Sequence, residues 1–484
     1  MPGVEGDVDA ALTGRRVAAV FLGMQIGMIV STVDSTIVAT ALPTIAADVG
    51  AGHQRSWVLT AYLLAQVAVM PLYGKLGDLY GRKRLYLFAI GVFALASTAC
   101  GAAQDLGQLV AARALQGVGG GGLGVLAMAV LGDVVPARSL GRWLGYQGAL
   151  FAAASLVGPL LGGLFVDHLS WRWAFFVNLP FAALSIAVVA AALRLPYRRV
   201  PHAIDYAGAA LLTGALVGVV LLATLGGESV PWWSATTGAL ALTVVVLGAA
   251  FVRRERRATE PVVPLHLLAG RVARVTVGLN FTSGALFAAG IFFLPVYLQE
   301  VRGLEPTASG LLLIPFMFTT AAATLAAGRR VERSGRYRAW PIRGGVLMTA
   351  GAALLATLGT ATPAGLAAAY AALLGTGIGF VMQTSLLALQ NSVPARDLGA
   401  ATSTALLGRV LGSTLGAALL SAVLEAALPA DGGRDAAAHA AGVRHVYLAA
   451  VPVAVVATVL ALRLPERPLR EEARFATEVL EIAP

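Results

Sequence analysis

Val135-Pro-Ala-Arg-Ser-Leu-Gly141 recurs as Val393-Pro-Ala-Arg-Asp-Leu-Gly399, an offset of 258 residues. The same offset lays Leu115-Gln-Gly117-Val-Gly119-Gly-Gly121 on Leu373-Leu-Gly375-Thr-Gly377-Ile-Gly379, and Gly158 on Gly416. A second match, at offset 254, pairs Gly74, Asp78, Gly81 and Arg82 with Gly328, Glu332, Gly335 and Arg336. Three matches in the same order mark two parallel copies of one unit.

Each copy is built of membrane-length helices. The chain is 58% apolar and only 12% charged, which does not fit a water-soluble globule. Its apolar stretches are about 20 residues or longer, enough to cross about 30 Å of hydrocarbon as helix. Spans without interruption must satisfy their own backbone polar groups, so the fold class is an all-α polytopic membrane protein. The spans read as fourteen: six in residues 1–199, an inserted pair in 200–270, six more in 271–464, then a tail over 465–484. Two six-helix bundles around a central cavity follow the rocker-type transporter plan.

The 35 basic residues set the orientation. Twenty-eight fall in loops assigned to one face, five on the other, and Arg113 and Arg409 lie inside spans. The basic face is expected in the cytoplasm together with both termini. Because the net charge of +10 is spread over loops on that face, it points to the lipid bilayer and not to nucleic acid. Arginine, alanine and glycine usage suggests a GC-rich bacterial source, and so an inner-membrane location. Ala39-Thr-Ala41 mimics a leader-cleavage site, but the span before it is too long and holds an acid, so no cleavage is expected. Cys100, the single cysteine, reads as packing. All six histidines sit in loops or at span ends with no metal spacing, and no metal or cofactor is expected.

Asp34 is the only carboxylate well inside the first span, in Ser31-Thr-Val-Asp34-Ser-Thr-Ile-Val-Ala-Thr-Ala-Leu-Pro43. A charged acid in hydrocarbon costs on the order of 3 kcal/mol or more, so it faces a cavity or a partner. Such a group suits the holding and release of a proton; the competing reading is a neutral, hydrogen-bonded structural acid. Arg113 raises the same question, as proton-pathway group or as a hub for backbone carbonyls. Gly117 to Gly122 matches G-x-G-x-x-G literally, but no strand precedes it, and the chain has no P-loop for ATP-driven pumping. No plausible nucleophile–base set marks a hydrolase, so the chain is not expected to be an enzyme.

Gly74-Lys-Leu-Gly-Asp78-Leu-Tyr-Gly81-Arg82-Lys83-Arg84 resembles the signature loop of the major facilitator superfamily. Three further stretches resemble its fourteen-helix drug:proton antiporter branch. These are Leu109 to Gly117 with Arg113, Gly148 to Gly163 with Gly158-Pro159, and Asp34 to Pro43. Trp171-Arg-Trp173-Ala-Phe-Phe-Val-Asn178-Leu-Pro180 is similar to the start of that branch's sixth helix. The resemblance covers nearly the whole chain and implies a proton-coupled exporter of lipophilic, often cationic drugs, working by alternating access. The alternatives are export of an endogenous lipid or secondary metabolite, and a non-transporting membrane sensor or scaffold. Under this reading Asp34 and Arg113 couple protons. Asp78, Arg82, Glu332 and Arg336 latch the bundles, and Gly158 with Pro159 kinks the fifth helix. Gln25, Tyr62, Gln66, Gln116, Asn280, Phe287, Gln383 and Arg409 are candidates for the substrate cavity. The expected partners are small-molecule cargo, protons and lipid, for a monomeric chain.

Depth adds one expectation. Asp34 lies nine residues before Pro43, about 13 Å from that end, and Arg113 six residues after Gly107, about 9 Å from its own, at about 1.5 Å per residue. In the resembled fold both helices line the cavity, so the two side chains should meet.

Overall fold

The structure is a computed structural model that describes residues 14–50, 57–193, 205–225, 234–258, 269–394, 397–428 and 435–469; the side chain of Pro159 lies outside the described residues. The first six helices are α1 (Gly14–Asp48), α2 (Trp57–Tyr80), α3 (Arg82–Ala102), α4 (Leu106–Val134), α5 (Ala137–His168) and α6 (Asn178–Ala192). A single turn, Trp173–Phe176, leads into α6. Next come α7 (Tyr206–Leu225) and α8 (Ala235–Glu255). The last six are α9 (Arg271–Val296), α10 (Pro306–Ser334), α11 (Ala339–Leu355), α12 (Ala364–Ser392), α13 (Leu398–Ala427) and α14 (Ala436–Leu462). No strand occurs among the described residues. Among the described residues eleven spans are long and apolar enough to cross a membrane; α5, α7 and α11 fall outside that set, α7 as a shorter apolar helix and α11 at 17 residues.

Local chemistry sets the helix ends. Asp105 accepts a hydrogen bond from Gln108 N at 2.8 Å, and Asp435 from Ala438 N at 2.8 Å, each starting its helix by satisfying a free backbone donor. Gly335 closes α10 in the left-handed region, φ 68°. The stretch from Gly74 to Arg84, expected as a loop, is helical on both sides of one residue. Gly81, with φ 90°, alone breaks α2 from α3.

The repeat is visible in the packing. In the first set α1 packs on α5, α2 on α4 and α3 on α4; in the second, α9 packs on α13, α10 on α12 and α11 on α12. The sets join by equivalent pairs, α2 with α13 and α10 with α5. Lipid supplies little hydrophobic drive between helices, so small residues that admit close backbones decide where they touch. That explains the glycine run in α4. A Cβ on Gly117 would lie 2.3 Å from Tyr62 O, and one on Gly119 would lie 2.7 Å from Ala89 O. The G-x-G-x-x-G match is therefore a packing seam for α2 and α3. Helices α7 and α8 pack on each other, and α7 seats Leu212, Leu216 and Val220 against Val67 of α2 and Leu407 of α13. Leu242, Val245 and Val246 of α8 stay exposed, as on a lipid-facing surface.

Candidate functional site

Asp34 and Arg113 meet. Arg113 Nη1 donates to Asp34 Oδ2 at 2.6 Å, and both side chains are 0% exposed. Two amides complete the carboxylate: Gln116 Nε2 donates to Oδ1 at 2.8 Å and Asn178 Nδ2 at 2.7 Å. Both amides also reach Ser97 Oγ, at 2.8 and 3.3 Å. Arg113 Nε donates to Val58 O at 3.1 Å, while Nη1 also donates to Gln116 Oε1 at 2.6 Å. The guanidinium lies over the Tyr62 ring, 4.4 Å from its centroid, and Tyr62 is hydrogen-bonded to Ser31. Arg113 Nη2 remains buried with no hydrogen bond.

Five helices of the first set, α1, α2, α3, α4 and α6, thus converge on this ion pair. A buried ion pair is tolerable only when its remaining donors and acceptors are matched, and here Asp34 has a donor on each oxygen. The pair is sealed off, so a proton reaching Asp34 Oδ2 would compete directly with Arg113 for that oxygen. Tyr62 and Gln116, named as cavity candidates, belong instead to this cluster.

The second site joins the two sets at the end carrying the basic loops. Asp78 accepts from Gly399 N and Ala400 N, both at 3.1 Å. These are backbone donors of the first turn of α13 with no partner inside the helix, where the helix dipole favours an anion. Arg82 Nη2 binds Asp78 Oδ1 at 2.7 Å, and its Nη1 binds Asp133 and the carbonyl of Ala129.

The repeat-related contact uses different chemistry. Glu332 of α10 pairs with Arg142 of α5 at 3.2 Å, and a Cβ on Gly328 would lie 1.9 Å from Gly141 O. By the offsets of the repeat, Glu332 stands where Asp78 does and Arg142 where Ala400 does. Arg336 breaks the parallel. Its side chain is exposed and forms no ion pair with a described residue, whereas Arg82 is buried. The reason is the missing acid, since the position matching Asp133 is Asn391, which donates to Pro468 O.

The other named residues scatter. Gly158 sits against α1, where a Cβ would lie 1.8 Å from Thr36 Oγ1. Asn280 is tied to Thr276 O and Ser385 Oγ at 3.0 and 3.2 Å, a structural link from α9 to α12. Phe287 packs on Phe316 with ring centroids 5.5 Å apart. Gln25 is buried and Gln66 half-buried. Gln383 keeps its carboxamide oxygen buried and unbonded, and Arg409 is partly accessible with no bonded partner among the described residues. No cluster of metal-ligating residues occurs among the described residues.

The sequence profile described as Major Facilitator Superfamily matches residues 24–417. The chain belongs to the major facilitator superfamily. This superfamily member is 38% identical over 81% of its length to an uncharacterised MFS-type transporter of Mycobacterium tuberculosis, but spans only 57% of that relative. It is 33% identical to the multidrug transporter protein MdtP of Bacillus subtilis, covering 79% of this chain and 71% of the relative. The solved structure of the proton:xylose symporter XylE superposes with a TM-score of 0.66 at 14% identity, covering 96% of this chain and 99% of that one. The last shows the fold alone.

Ser97 and Asn178 of this superfamily member were not singled out as site residues from the sequence. Asn178 lies within Trp171 to Pro180, and a buried amide there was the available signal. Beyond the spans, Asp48 at the end of α1 accepts from Trp171 Nε1 at 2.8 Å and Arg172 Nη1 at 2.9 Å. The bonds from Trp171 and Arg172 hold its carboxyl below the usual carboxylate range.

Proposed function

We propose that this superfamily member is a proton-coupled antiporter that exports lipophilic drugs by alternating access. One observation carries the reading: a carboxylate, ion-paired and fully enclosed at membrane depth, held by donors from elements that belong to one half only. Asp34 loses its charge when it takes a proton, and Arg113 then loses its counter-ion, so protonation and the packing of α1 against α4 and α6 depend on each other. One proton moving down about 100 mV supplies about 2.3 kcal/mol, enough to bias two packings of similar energy. The name of the Bacillus relative and the absence of any nucleotide-binding motif in the sequence support drug export driven by ions.

In this reading α5, α7 and α11 also cross the bilayer, giving fourteen spans in two bundles, residues 1–199 and 271–464, with 200–270 inserted. The basic end is cytoplasmic in a bacterial inner membrane, with both termini on that side, and the chain works as a monomer. The Asp78 and Glu332 contacts hold the two halves together at the cytoplasmic end. Asp34 takes its proton from outside, Arg113 is released, the halves rock, and the proton leaves inside as cargo loads.

The test is dye accumulation in cells expressing the protein, with and without a proton uncoupler. Expression should lower accumulation, the uncoupler should restore it, and Asp34→Asn at equal membrane level should behave like empty cells. Uncoupler-insensitive efflux, or unchanged efflux in Asp34→Asn, would contradict the reading.

A further inference from the structure

Arg409 has no counter-charge among the described residues. It lies eleven residues into the 30-residue α13, about 16 Å from its basic end and near the middle of the helix. Arg409 is half-buried as a residue, and its guanidinium forms no hydrogen bond, ion pair or ring contact with a described residue. An always-charged group at that depth is costly unless it meets water or an anion.

Its direction follows from Thr402, seven residues earlier and so two turns below on nearly the same face, about 10.5 Å away. Thr402 Oγ1 accepts from Gln390 Nε2 at 3.0 Å, and the same amide donates at 3.2 Å to Met128 O of α4, across the junction of the two sets. That face of α13 therefore looks onto the junction.

Gln383 arrives at the same level independently. It is seven residues before Gln390 on α12, which runs opposite to α13, so it also lies two turns beyond the Gln390–Thr402 bond. Gln383 is 8% exposed, and its Oε1 is buried without a hydrogen bond. A buried carbonyl without a donor costs about 1–3 kcal/mol, which a ligand donor would recover. Asp34, the carboxylate inside the first span, is already bonded by Arg113, Gln116 and Asn178.

We propose that Arg409 and Gln383 form the head-group end of the cargo site, which takes an anionic group (carboxylate, sulfonate or phosphate) on an otherwise apolar molecule. Arg409 is the counter-ion; Gln383 accepts from a hydroxyl or N–H beside that anion. The site rests on the export reading and replaces the cationic preference implied by the family resemblance with an anionic one. Anionic lipid head groups share this chemistry and would compete for it.

The experiment uses the full chain in phosphatidylcholine vesicles with two matched probes, dansylaminoundecanoate and its uncharged methyl ester. Wild type should bind the acid at least about tenfold more tightly than the ester, the size expected of one charge-assisted pair. Arg409→Gln should erase that preference, and Arg409→Lys should keep part of it. Adding phosphatidylglycerol should weaken acid binding in wild type but not in Arg409→Gln, which would identify lipid head groups as a second occupant. Equal binding of acid and ester by wild type overturns the proposal, whether or not Arg409→Gln folds; so does a preference that survives in folded Arg409→Gln. A pH gradient across the same vesicles separates the two claims. Selective binding of the acid with no probe movement contradicts export and leaves the site standing. Gradient-driven movement of acid and ester alike, without preference in binding, contradicts only the site.

Discussion

Arg113 shows what one residue costs and what holds it. Its charge is fixed, it is 0% exposed, and its one carboxylate is Asp34. Removing one partner of a buried pair leaves the other uncompensated, a loss of about 3–5 kcal/mol. Arg113→Gln should therefore lower the thermal unfolding temperature in detergent strongly. The double variant Asp34→Asn with Arg113→Gln should recover part of that loss, because no lone charge remains buried. Asp48 gives a second residue-scale test. Its carboxyl is depressed by Trp171 and Arg172, so its contribution is present above the unfolded value of 3.8 and is lost as pH falls through the lower folded value. Wild type should thus lose a small increment of stability below pH 3.8 that Asp48→Asn does not show, read as the difference between their acid unfolding curves. The meeting of Asp34 and Arg113 was legible in the sequence, because two intramembrane charges at matching depth on antiparallel helices have few other ways to be neutralised. The amides of Gln116 and Asn178 were not legible as ligands of Asp34. Which face a wholly apolar helix turns inward is set by its neighbours and not by its own period.

Elements meet where side chains are smallest. Helices α5 and α10 cross with the Gly141 and Gly328 backbones in contact, then continue through Gly145 beside Leu325 and Gly148 beside Thr324. Their repeat-related partners, α2 and α13, meet at Gly74, where a Cβ would lie 2.3 Å from Ser403 Oγ. A methyl group at Gly328 has no room, so Gly328→Ala should part the helices at the basic end. Asp78→Asn should do the same at the other junction by weakening the hold on the α13 N-terminus. A cysteine placed at Ser403 in a Cys100→Ser background reports both, through maleimide labelling from the basic side. Labelling should rise severalfold in either variant; unchanged labelling would mean that these contacts do not hold the end shut. The doubling of the Gly74–Arg84 motif announced two junctions, yet it overstated their likeness. Asn391 at the place of Asp133 was present in the sequence all along, and it is why Arg336 has no ion pair with a described residue while Arg82 has two carboxylates.

At the scale of the whole molecule, the two sets of six helices repeat each other's packing but not each other's charges. The first encloses a complete Asp34–Arg113 pair, while the second carries Arg409 with no ion pair among the described residues. On the proposed reading the proton site lies inside one half and the junction is left for cargo. The parallel repeats made this plan readable, since two copies with matched loops admit few arrangements, whereas the place of α7 beside α2 and α13 came only from their packed side chains. The central claim is that Asp34 carries the proton that drives movement at the junction. The most direct measurement is proton flux across vesicles containing the purified protein, recorded with a pH dye while a lipophilic cargo is added. Wild type should move protons against the cargo, and Asp34→Asn should pass cargo down its own gradient with no accompanying proton movement. Cargo-dependent proton flux of wild-type size in Asp34→Asn would contradict the account.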